Sequence, residues 1–118
     1  MSRPKVNYTY AARLDRVIDG DTAVLLIDLG FNCSTTQHVR LKGYNAPELY
    51  GPNASKAHQA KHELTGLLAG RQLIVTTTKA FSQSFARYIG EVYFTTDTGV
   101  YPVADEMINK GFHVEQGQ

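Results

Sequence analysis

Two β-prone runs joined by a bare turn constrain this chain more than any other feature. Tyr8 to Ile18 is rich in Tyr, Val, Leu and Ile, Thr22 to Leu29 is β-prone again, and only Asp19-Gly20-Asp21 separates them. Asp-Gly at such a junction signals a hairpin, because glycine accepts φ > 0 and aspartate bonds its own backbone. Gly30 to Thr36 reads as a loop. Gln37 to Lys42 reads as a third strand, with His38, Arg40 and Lys42 on one face and Val39 and Leu41 on the other. Asn45 to Asn53 is irregular, punctuated by Pro47, Gly51 and Pro52. Ala57, Ala60, Leu64, Leu67 and Leu68 then recur at helical spacing, with Asn53 or Ser55 as cap and Gly70 past the end. Arg71 to Thr78 and Arg87 to Thr95 read as strands four and five around a polar loop, Lys79 to Ser84. Pro102 opens a short helix carrying Val103, Ala104, Met107 and Ile108, which Gly111 closes.

Five short strands with a helix after the third predict an α+β chain: a five-stranded antiparallel OB-fold barrel with a capping helix and a short C-terminal helix. A length of 118 residues suits one such domain spanning residues 1–118. With 42% apolar and 19% charged residues, the composition excludes disorder. The single cysteine, Cys33, excludes an internal disulfide and a multi-thiolate zinc site. Basic and acidic residues nearly cancel, 12 against 11, so any case for nucleic-acid binding rests on local arrangement. No secretory leader and no apolar run of membrane-spanning length is present, which leads us to expect a soluble, cytoplasmic protein with no membrane partner.

Three places combine charge with backbone control: Asp19-Gly20-Asp21-Thr22, Arg40 followed by Asn45-Ala46-Pro47-Glu48, and Phe85-Ala86-Arg87. A carboxylate, an amide oxygen and backbone carbonyls are hard ligands that suit calcium far better than zinc or copper. Two arginines beside such a cation make a clamp for phosphate, because the guanidinium fork matches phosphate oxygens bidentately. Glu48 is then placed to take a proton from a water. His58 and His62 stand four apart, but His-Gln-Ala-Lys-His lacks the glutamate of a zinc-protease helix and no third ligand is evident. His38 and His113 have no motif around them. Tyr8, Tyr10, Tyr88 and Tyr93 read as barrel wall or sheet surface, and Cys33 has no acid–base neighbour to activate it.

Taken in order, three segments resemble the staphylococcal nuclease family, the thermonuclease-like calcium-dependent nucleases. They are Val17-Ile18-Asp19-Gly20-Asp21-Thr22, Val39-Arg40-Leu41-Lys42-Gly43-Tyr44-Asn45-Ala46-Pro47-Glu48 and Phe85-Ala86-Arg87-Tyr88-Ile89-Gly90. The likeness runs from about Arg13 to Val114 and includes the tail from Val103 to Phe112. It implies hydrolysis of phosphodiester bonds in DNA and/or RNA. By resemblance, Asp21, Asn45 and the Ala46 carbonyl hold calcium, and Asp19 lies beside the metal. Arg40 and Arg87 grip the scissile phosphate, Glu48 is the general base, and Phe85 meets a base of the substrate.

Three departures qualify the likeness. Asn45 stands where the family usually has a carboxylate, which predicts weaker calcium binding. Phe85-Ala86 replaces the family's common Tyr-Gly, removing a hydroxyl. Gln118 follows soon after the second short helix, where the best-known members continue through another helix; the expectation is either a smaller core or a partner subunit over that surface, with a homodimer favoured. The rival reading is a non-catalytic barrel that grips nucleic acid or protein without cutting. The joint presence of Asp21, Arg40, Glu48 and Arg87 weighs against it.

Overall fold

The computed structural model describes residues 7–49, 52, 54–77 and 88–114. Strands β1 (Thr9–Asp19), β2 (Thr22–Gly30) and β3 (Cys33–Leu41) form a meander, followed by helix α1 (Ala54–Leu68). Strands β4 (Leu73–Thr77), β5 (Tyr88–Thr96) and β6 (Gly99–Pro102) lead to helix α2 (Val103–Asn109). The sheet order is β3-β2-β1-β4-β5-β6, and an additional β3–β5 pairing closes the first five strands into a barrel. The described residues thus form an α+β barrel with two helices, and β6 hangs outside the closure.

The expected antiparallel barrel is corrected at its closing contact. β3 and β5 run parallel, in the register Val39↔Tyr88, Arg40↔Ile89 and Leu41↔Gly90, while the other pairings are antiparallel. An odd number of strands makes this unavoidable: strict alternation of direction around a ring of five brings two like-directed strands together. Gly90 allows the approach, since a Cβ there would meet Thr76 O and Val39 Cγ1, each at 3.2 Å.

β1 is long enough to serve two neighbours, β2 along most of its length and β4 over Thr9–Ala12. Register shifts between Leu14 and Arg16 and between Val17 and Asp19 bend it to do so. The interior receives Ala23, Leu25 and Ile27 from β2, Val39 and Leu41 from β3, and Val75, Val92 and Phe94 from the later strands. One helical stripe of α1, Ala60, Leu64 and Leu68, joins this core; Val103 and Met107 bring in α2. Removing a fully buried leucine such as Leu64 from a core of this kind costs about 2–5 kcal/mol.

The loop expected over Gly30–Thr36 is shorter than the sequence suggests. β3 begins at Cys33, and Phe31 and Asn32 form a two-residue turn with φ of 54° and 60°. Positive φ at both positions matches the right-handed twist of a tight hairpin. Phenylalanine is a poor signal for that conformation, so this turn is not readable from residue type. β6 has no counterpart among the five expected strands; its four residues, Gly99–Pro102, pair with Tyr93–Thr96.

Candidate active site

The site begins at the β1–β2 turn. The Asp21 backbone N–H donates to Asp19 Oδ1 at 3.1 Å, the local bond that makes Asp-Gly-Asp a turn. Gly20 is needed for a different reason from the one its sequence context suggests. It does not use the left-handed region; instead a Cβ there would lie 2.7 Å from Ala46 Cβ and 2.8 Å from Ala60 Cβ. The turn is therefore wedged between α1 and the segment after β3, and only a residue without a side chain fits.

That contact brings the second motif to the first. Thr22 pairs with Arg40 in the β2–β3 register, and Leu41 N–H donates to Asp21 O at 2.9 Å. Asp21 is nearly buried, with its side chain 12% exposed, and its carboxylate is well supplied with donors. Thr22 Oγ1 donates to Oδ1 at 3.0 Å and Ala46 N–H to Oδ2 at 3.1 Å. One Arg40 guanidinium nitrogen lies 3.8 Å from Asp21 Oδ2 and donates to Asn45 Oδ1 at 2.6 Å. Asp21, Arg40, Asn45 and Ala46, from the first turn and the exit of β3, thus share one site.

Electrostatics mark the same place. Burial, a hydrogen bond with Asp21 and repulsion from the Asp21 carboxylate push Asp19 up to about 6 from an ordinary 3.8. The buried turn thus makes a negative charge on Asp19 costly. Among the described residues no three His, Cys, Asp or Glu side chains cluster as a metal cage. The oxygens that the resemblance assigns to a metal, on Asp21, Asn45 and the Ala46 carbonyl with Asp19 beside them, are hard donors whose chemistry would fit calcium rather than zinc. Arg40 occupies one of the two lone pairs of Asn45 Oδ1, so a cation on that oxygen would share it with the guanidinium.

Glu48 is exposed, three residues past Asn45 and just beyond the buried Pro47. Arg87 and Phe85 lie outside the described residues. Ile89 pairs with Arg40 across the barrel closure, so the chain re-enters the described structure beside the site. His58 and His62 are both exposed on α1.

Two residues join the site without a sequence signal. His113 Nδ1 accepts the Asn45 N–H at 3.2 Å, and Val114 N–H donates to Asn45 O at 2.9 Å, so the Asn45 backbone is held on both sides from 68 residues away. Tyr44, which the sequence presents only as part of the Val39–Glu48 segment, is 2% exposed with its ring centroid 6.2 Å from that of His113. No protein-family model matches this chain, and no curated protein matches it in sequence.

Proposed function

We propose that this protein is a calcium-dependent nuclease that hydrolyses phosphodiester bonds of DNA and/or RNA on an OB-like barrel of the staphylococcal nuclease type. The observation that carries the reading is the convergence of Asp21, Arg40, Asn45 and Ala46, with the guanidinium 3.8 Å from Asp21 Oδ2 and 2.6 Å from Asn45 Oδ1. A phosphodiester is anionic and repels a nucleophile, so its oxygens must be neutralised before water attacks. Asp21, Asn45 and the Ala46 carbonyl would hold a calcium ion, which would supply Lewis-acid neutralisation of those oxygens. Arg40 exchanges its bond to Asn45 for a phosphate oxygen, and with Arg87 it binds the transition state, where charge has grown, more tightly than the substrate. The Glu48 carboxylate takes a proton from the attacking water. Phe85 stacks on a base.

The reading is tested by incubating DNA and RNA with the protein in calcium or in chelator. Wild type is expected to degrade at least one of them only with calcium, and Glu48→Gln is expected to lose roughly 100–10,000-fold of that rate. Equal rates with and without calcium, or an undiminished Glu48→Gln, refute it. One observation favours the non-catalytic binding module: Asn45 contributes no charge and its oxygen is already engaged by Arg40. Retention of nucleic acid with no cleavage at any calcium concentration selects that reading.

A further inference from the structure

The outer face of the β1–β2–β3 meander carries a line of cations that no short stretch of sequence displays. Strand register sets three rows across it. Arg40 stands beside Thr22; one step along, Arg16, Val24 and His38 are neighbours; one step further, Arg13, Leu26 and Thr36 are. Arg13 and Arg16 are three residues apart and would face opposite sides of a regular strand. The register shift between Leu14 and Arg16 takes up Asp15 as an extra residue and turns both arginines outward, while Leu14 and Val17 pack on the core. Val24 is 1% exposed yet lies outside the core cluster, so its neighbours across the sheet cover it from the outer side. Both arginines are exposed, and among the described residues Arg13 makes no ion pair. Arg16 is held by Asp15 at 2.8 Å, a solvent-exposed pair of the weak kind that yields to a stronger anion.

Strand geometry sets the intervals along this line. Arg40 and Arg16 are separated by two strand spacings and one two-residue step, about 12 Å between Cα atoms, and Arg16 and Arg13 by about 7 Å. Guanidinium groups so spaced suit the alternate and successive phosphates of an extended strand, each gripped bidentately. The face is not uniformly cationic. Leu26, beside Arg13, is 45% exposed, and an open groove of ≈ 680 Å³ runs past it, lined also by Arg13, Asp28 and Ser34. An apolar side chain offers nothing to a phosphate, and a carboxylate repels one. A nucleobase has an apolar face for the first and amino groups that donate to the second. A duplex keeps its base faces stacked inside, whereas a single strand exposes them.

Resting on the reading of Arg40 as a phosphate ligand, we propose that this outer face is the path by which a single strand of nucleic acid reaches the site. Arg40, Arg16 and Arg13 take its phosphates in that order, and the groove beside Leu26 and Asp28 takes a base. The near-zero net charge of the chain does not oppose this, because these cations are gathered on one sheet face.

The test measures anisotropy of a fluorescein-labelled single strand of mixed sequence, as DNA and as RNA, in chelator over a range of salt. Wild type is compared with Arg13→Gln/Arg16→Gln, in which glutamine keeps part of each stem over the sheet, and with Lys56→Ala/Lys110→Ala, which removes two charges from the helices. The arginine variant is expected to bind at least tenfold more weakly. Its log–log salt slope should be shallower by about 1.4, at ~0.7 for each of two phosphates. The lysine variant should match wild type, and Leu26→Ala should lose affinity with its salt slope unchanged. A duplex of the same sequence should bind less tightly than the single strand. Equal affinity and slope for the arginine variant, an equal loss for the lysine variant, no binding by wild type, or a preference for duplex overturns the proposal. Cleavage is assayed separately with calcium. Wild type that binds through these arginines but never cuts sinks the nuclease reading and leaves this face standing. Cleavage with unchanged binding by the arginine variant sinks the face alone.

Discussion

Replacing Asp19 by asparagine isolates the electrostatic cost built into the β1–β2 turn. An acid whose pKa rises on folding, here from 3.8 to about 6, holds its proton more tightly in the folded chain than in the unfolded one. Its contribution to stability is therefore full below about 3.8 and is lost as the pH climbs through about 6. A shift of roughly two units at ~1.4 kcal/mol each sets a ceiling near 3 kcal/mol. Asp19 is only partly buried, so solvent screening reduces this to about 1–2 kcal/mol. Asparagine keeps the acceptor that receives the Asp21 N–H and removes the ionisation. In chelator at pH 7.5, Asp19→Asn is expected to be more stable than wild type by that amount, a shift of about 1 M in the urea midpoint. At pH 4 the two proteins should differ little. Saturating calcium should erase the advantage, since the cation neutralises the pair. A variant equally displaced at both pH values, or less stable at pH 7.5, refutes the argument.

Gly20→Ala should cost about 1–3 kcal/mol in urea unfolding, because the new methyl must displace Ala46 or Ala60; an unchanged midpoint would show that the turn is not wedged. Asn45→Asp should bind calcium more tightly than wild type by isothermal titration, since affinity follows ligand charge, and equal or weaker binding would contradict it.

What the sequence makes legible is local. The Asp19-Gly20-Asp21 turn, the inward Val39 and Leu41, and the α1 stripe each follow from spacing and turn chemistry over a few residues. The grouping of Asp21 with Arg40 and Asn45 was reached through motif resemblance, and their adjacency depends on strand register that no short window contains. His113 is out of reach for the same reason, being tied to Asn45 across the whole second half of the chain. The parallel β3–β5 contact is a property of ring closure, and Gly20 owes its place to packing that a turn rule does not describe.

The barrel closes on a seam rather than on a hairpin. Among the described residues β2 and β3 are laced through eight registered pairs and β3 and β5 through three, supplemented by Lys42 N–H to Gly90 O at 3.0 Å. Arg40 is one of those three, paired with Ile89. In the proposed reaction the guanidinium that turns from Asn45 to a phosphate is thus rooted in the closing contact of the ring, and any loosening of that contact would reach the arginine first.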